Sequence, residues 1–139
     1  MNATEQHLKS LDSFKDWSNY LLVTTVAALG WVASDSRVVE TPSIEVWSFA
    51  LSTVFGIFTL ALIPIVAGRI TDATTSFYDV PAPFRLFWLW GPEFSLRIKA
   101  VCWPQHILFL AGIIAFAVHA TCPSQLPHKK PPTEVRLIQ

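Results

Sequence analysis

The sequence predicts an all-α integral membrane protein: three transmembrane helices, an N-terminal surface helix, and an interfacial aromatic segment between spans 2 and 3. Three observations carry this reading. Charged residues make up 14% of the 139-residue chain and hydrophobic residues 52%, whereas a soluble domain carries about 25% charge. The charge deficit is concentrated in three long windows. Tryptophan and tyrosine stand at the ends of those windows, at the level where a headgroup layer satisfies both an apolar ring and its polar N–H or O–H. The mean hydropathy is +0.43. The chain reads as one polytopic domain, 1–139, with spans near 17–33, 46–67 and 103–120, an interfacial segment over 77–100 and a polar, proline-rich tail over 123–139.

The first window, "WSNYLLVTTVAALGWVA", opens on Trp17 and Tyr20, nearly closes on Trp31, and is followed by Asp35 and Arg37. Before it lies "NATEQHLKSLDSFKD", with Leu8, Leu11, Phe14 and Trp17 near helical period, which predicts a surface helix running into the span. That mixed-charge prelude is unlike the short basic region of a signal peptide. Bulky Trp31 also occupies a position where cleavage after Ala33 would want a small residue, so the window reads as a retained span.

The second window, "VWSFALSTVFGIFTLALIPIVA", is uncharged and closed by Gly68 and Arg69. A helix needs about 20 apolar residues to cross a hydrocarbon core about 30 Å thick, and this window meets that length. Thr41 is the expected N-cap, with Pro42 at the first helical position where its missing N–H costs nothing. Pro64 inside the span is expected to bend it. The third window, "WPQHILFLAGIIAFAVHA", holds only His106 and His119 as ionisable groups and is expected to start at Trp103-Pro104. Helices are therefore expected over most of 5–33, 42–70 and 103–121. The short linker "SDSRVVET" forces the first two into an antiparallel hairpin.

Between spans 2 and 3, "FRLFWLWGPEFSLRIKAVCWPQH" packs three of the six tryptophans among charges. Phe84, Trp88 and Trp90 are expected at the headgroup boundary, with Arg85, Arg97 and Lys99 meeting anionic lipid, each surface cation contributing about 1 kcal/mol. "GPE" predicts a helix start at Pro92 with a Glu93–Arg97 pair. The alternation from Phe94 to Lys99 favours a strand instead, in a hairpin turning at "GP". The helix is preferred, because an unpaired strand in the interface would leave its backbone groups unsatisfied. Lys9, Lys15, Arg69, Arg85, Arg97 and Lys99 lie on the N-terminal side, against Arg37, Lys129, Lys130 and Arg136 opposite. This uneven split puts the N-terminus in the cytoplasm, most naturally across a bacterial inner membrane.

Few residues carry chemistry. His106 and His119 are the candidate haem ligands, but two haems stacked along one helix need both rings on one face, and thirteen residues at 100° each leave about 220° between them. Asp72 and Asp79 in "TDATTSFYDVP" read as a capping and turn pair rather than a cation site. Cys102 and Cys122 flank the third window and stand too far apart along a helix to pair. No zinc, nucleophile-elbow or phosphate-loop motif occurs, and no charged residue falls inside a window. An enzyme, an ion-coupled transporter and a nucleic-acid binder are therefore not expected, and neither is a cofactor or metal.

The windows do carry small residues at helical spacing. These are Ser48, Ser52 and Gly56 in span 2; Ala111, Gly112 and Ala115 in span 3; and Thr24, Ala28, Gly30 and Ser34 in span 1. Such stripes let helix backbones approach closely. The expected function is helix association without enzymatic chemistry, as an accessory subunit of a membrane complex or a homo-oligomer, with the lipid bilayer as the constant partner. The alternative is a homo-oligomeric channel lined by the hydroxyls of Thr24, Thr25, Ser48, Ser52 and Thr59. A haem-binding electron carrier is the weaker one.

Overall fold

The computed structural model describes residues 2–34, 43–84 and 94–121. Three helices dominate: α1 over Ala3–Ala33, α2 over Ile44–Ala67 and α3 over Ile98–Thr121. Between α2 and α3 come a 3-10 turn at Phe77–Asp79 and two short strands, β1 at Pro81–Phe84 and β2 at Phe94–Arg97. Two of the helices, α2 and α3, are long and apolar enough to cross a membrane.

The prelude and the first window form one helix. At 1.5 Å per residue, the 31 residues of α1 span about 46 Å. Its start is held by Glu5, whose Oε2 accepts from the Asn2 N–H at 3.2 Å, half of a capping box. The prelude runs into the first window as expected, but Leu11 and Phe14 are buried in protein, Phe14 edge-on to Tyr78 at 5.4 Å. A covering protein layer satisfies those side chains where a lipid surface was expected to.

α2 is the hub, packing along both other helices. It runs antiparallel to α1, since the Thr4 hydroxyl donates to Asp72 just beyond its end while Leu22 faces Gly56. It is antiparallel to α3 as well: Ser52 meets Gln105, Phe49 meets Gly112, and Glu45 meets His119. Between α1 and α3 the bridging side chains are Trp17 with His106 and Trp31 with Phe116. α2 begins at Ile44 after Ser43, later than the start expected from Thr41 and Pro42, which lie outside the described residues with the rest of 35–42.

The segment before α3 is a hairpin, not the helix expected from "GPE". β1 and β2 pair antiparallel, with Pro81 opposite Arg97 and Phe84 opposite Phe94. The partner strand supplies the backbone bonds that a lone interfacial strand would lack, and the alternation at 94–97 is its sequence trace. Prolines 81 and 83 are tolerated because every strand of a two-stranded ribbon is an edge. α3 starts directly after β2, five residues ahead of Trp103. Pro104 thus lies inside it, where the carbonyl deprived of a donor is that of Ala100 in the first turn.

The molecule has two interiors. At the loop end, which we call the head, Leu11, Phe14, Leu62, Ile63, Val66, Ile70, Phe77, Val80, Ala82, Ile98, Val101 and Cys102 form one apolar core. The other half, the stem, buries Ser18, Thr25, Ser52, Thr59 and Gln105 completely, alongside Leu21, Phe49 and two glycines. Its outward faces carry Val23, Val26, Trp31, Trp47, Leu51, Val54, Ile57, Ile107, Leu110, Ile114 and Val118.

Candidate functional site

In the stem, close approach between helices rests on two glycines. A methyl at Gly112 would lie 2.7 Å from Cε1 of Phe49, and one at Gly56 would lie 2.9 Å from Nε2 of Gln105 and 3.0 Å from Cδ1 of Leu22. A methyl at Gly30 would meet nothing within 4 Å. Next to Gly56, the buried Ser52 hydroxyl donates to the Gln105 carbonyl at 2.9 Å, a hydrogen bond between α2 and α3. Thr25 donates to the Leu21 carbonyl at 2.7 Å and Thr59 to that of Phe55 at 2.9 Å, so both hydroxyls are satisfied within their own helices. The Gln105 amide and the Ser18 hydroxyl, by contrast, are fully buried with no hydrogen-bond partner among the described residues. A group so placed keeps its desolvation cost, typically 1–3 kcal/mol, unless a small polar guest joins it.

Where head meets stem, a cleft of about 590 Å³ opens between the 3-10 turn and the first turns of α3, lined by Ser76, Tyr78, Asp79, Lys99, Cys102, Trp103 and His106. Local structure places each side. Ser76, not either aspartate, caps the 3-10 turn by accepting from the Tyr78 N–H at 3.3 Å, which sends Tyr78 and Asp79 toward α3. Asp79 pairs with Lys99 and lies 3.8 Å from the Arg97 guanidinium, so one carboxylate serves two cations. The hydrogen bond from Lys99, and then the charges of Lys99 and Arg97, hold the Asp79 carboxyl below the usual carboxylate range. Burial pushes the Tyr78 hydroxyl up.

His106 closes the wall. Trp17 Nε1 donates to its Nε2 at 3.2 Å, with the two rings stacked, and an indole N–H is donor only. Nδ1 is left to donate to the Cys102 carbonyl at 2.7 Å, with the Cys102 sulfur 3.4 Å away. Both ring nitrogens are thus occupied, and the ring serves as a brace between α1 and α3. His119 lies at the far end of α3, its Nδ1 3.7 Å from Oε1 of the buried Glu45. Among the described residues no group of three His, Cys, Asp or Glu side chains could hold a metal ion.

The residues singled out from sequence divide as follows. Ser52, Gly56 and Gly112 lie in the helix contacts; Ser48 and Ala115 are half-buried; Ala111 is exposed. Of the hydroxyls named for a pore, Thr25, Ser52 and Thr59 are buried within one chain, whereas Thr24 is exposed and bonds the Tyr20 carbonyl. Arg97 and Lys99 come together on Asp79. Phe84 contributes its backbone to β1, while Arg85, Trp88 and Trp90 lie outside the described residues. Asp72 receives the Thr4 hydroxyl instead of capping a helix. Sequence reasoning missed Gln105, whose signal was an amide inside an otherwise apolar window. It also missed the Asp79–Lys99 contact, which no spacing rule reveals across twenty residues. Comparison with protein-family models, curated proteins and solved structures finds no match to this chain.

Proposed function

We propose that the chain is a three-span integral membrane protein that acts by helix association without enzymatic chemistry, as an accessory subunit of a membrane complex or as a homo-oligomer. The observation that carries this reading is the inverted polarity of the stem, with hydroxyls and an amide inside and large aliphatic and aromatic side chains outside. In water the transfer cost of those outer faces runs the wrong way; in hydrocarbon it reverses. Exposed Trp17 and Trp103 mark one edge of the apolar belt, and exposed Trp31 and Trp47 the other. From Trp103 to Thr121 that belt is about 27 Å long, close to a hydrocarbon thickness of about 30 Å, while on α1 it is shorter, about 21 Å. The first half of α1 then projects beyond the bilayer as part of the head. The uneven split of Lys and Arg puts the head in the cytoplasm of a bacterial cell.

The association reading is favoured over a hydroxyl-lined channel because three of the five hydroxyls named for a pore are enclosed within one chain. Native mass spectrometry of the chain released from membranes tests it. A complex with other subunits or a fixed small number of copies is expected; a lone monomer would defeat it. For orientation, with Cys102 and Cys122 replaced, an Asp72→Cys variant is expected to react with an impermeant thiol reagent only in opened cells. Ser36→Cys is expected to react in intact ones, and the reverse pattern would invert the topology.

A further inference from the structure

We propose that the cleft between the 3-10 turn and α3 seats the headgroup of one anionic glycerophospholipid, with an acyl chain lying along α3. This rests on the membrane reading above and adds a specific ligand to it. The cleft stands where the apolar core of the head gives way to the buried hydroxyls of the stem, and the exposed Trp103 ring forms part of its wall. An amphipathic ring in that position favours the headgroup level.

The charge in the cleft selects the ligand. Lys99 in the cleft and Arg97 at its margin share the carboxylate of Asp79, which leaves one positive charge over among the described residues. The Lys99 ammonium has three donors, and Asp79 occupies one of them. A phosphodiester with a neutral polyol headgroup supplies one negative charge and several acceptors. A zwitterionic headgroup adds an ammonium whose natural partner, Asp79, is already taken. The Ser76 and Tyr78 hydroxyls lie on the same wall and suit a polyol.

Below the cleft, the surface of α3 continues as one apolar stripe: Trp103, Ile107, Leu110, Ile114 and Val118, each more than half exposed and spaced by four, three, four and four residues. From Trp103 to Ile114 the stripe is about 16 Å long, the depth of one leaflet of a core about 30 Å thick. A polar cleft that opens onto a stripe of leaflet depth fits an amphiphile better than a water-soluble anion.

The test uses the full chain extracted from vesicles of equal parts phosphatidylglycerol and phosphatidylcholine with identical acyl chains, with retained lipid counted by native mass spectrometry. Roughly fivefold preferential retention of phosphatidylglycerol is expected, the worth of one surface cation near an anionic headgroup. Arg97→Gln with Lys99→Gln is expected to abolish the preference, and Lys9→Gln with Lys15→Gln to leave it intact. Asp79→Asn, which keeps both cations and removes their shared anion, is expected to raise it and so guards against a mere folding defect in the double variant. Equal retention of the two lipids by the native chain, no rise in Asp79→Asn, or displacement by soluble glycerol phosphate would each overturn the proposal. Failure of the membrane reading itself would look different: the chain would stay in solution without detergent and retain neither lipid.

Discussion

The head and the stem are built from the same three helices, yet they are organised by opposite rules. In the head, Leu11, Phe14, Val66, Phe77 and Ile98 are buried together while Asp79, Arg97 and Lys99 face outward. In the stem, Ser18, Thr25, Ser52, Thr59 and Gln105 are inside and the aliphatic residues outside. The head resembles a small water-soluble core stabilised by removing apolar area from water. The stem has no such driving force if hydrocarbon surrounds it, and it depends on close packing and hydrogen bonds between helices instead. A single α-helix can follow both rules in succession because each turn is hydrogen-bonded within itself and does not depend on its surroundings.

This contrast can be broken from either side. The largest effect is expected in the head, where Phe14→Ala removes a ring packed against Phe77 and Tyr78. A loss of about 3–5 kcal/mol is expected from the unfolding midpoint in detergent. Loss below 1 kcal/mol would show that the head has no real core. Next, Leu110→Lys places a charge midway along the exposed α3 stripe. If lipid covers that stripe, the cost is about 2.5–3.5 kcal/mol and the inserted fraction falls. Leu8→Lys, on the open surface of the head, is expected to change stability by no more than about 0.5 kcal/mol. Similar behaviour of the two variants would remove the distinction between the regions.

A smaller effect sharpens the account of stem packing. Gly112→Ala forces the added methyl against the Phe49 ring, and overpacking of this kind costs about 1–3 kcal/mol. Gly30→Ala on α1 meets open space and gains helix propensity, so its midpoint is expected to stay or rise slightly. A Gly112→Ala midpoint equal to that of the native chain would mean that α2 and α3 are not in close contact.

The smallest effect concerns pH. The Asp79 carboxyl is depressed in the folded chain, so its contribution is fully present above the ordinary carboxylate pKa and is lost as pH falls through the folded value. The difference in midpoint between the native chain and Asp79→Asn is therefore expected to be constant from pH 8 to about pH 5 and to close only below about pH 4. A difference that closed near neutrality would show that Lys99 and Arg97 do not hold the carboxylate.

Some of this was legible in the residues. Long uncharged runs fall in α1, α2 and α3 because helix propensity and apolar content are local properties, which need no knowledge of neighbours. The glycines of the stem were also visible as positions where a helix surface is low. The alternation at 94–97 was visible but misjudged, since a strand is stable only with its partner, and the partner, 81–84, contains two prolines that disguise it. The starts of α2 and α3 were misplaced for a related reason. The sequence cues at Thr41-Pro42 and Trp103-Pro104 are permissive of a helix end but do not require one.

By itself, then, the order of amino acids determined that there are helices with long apolar runs, that Asp, Glu, Lys and Arg are kept out of those runs, and that a charged aromatic segment separates the last two. Tertiary structure alone decided which face of each helix is inside. It turned Leu11 and Phe14 into core, and it set Gln105 against Gly56 instead of into solvent. It also joined Asp79 to Lys99 and Arg97 at the mouth of a cleft. The physical reason is that a helix repeats every 3.6 residues whatever surrounds it, whereas the inward face depends on the crossing of two other helices, which no single stretch of chain encodes.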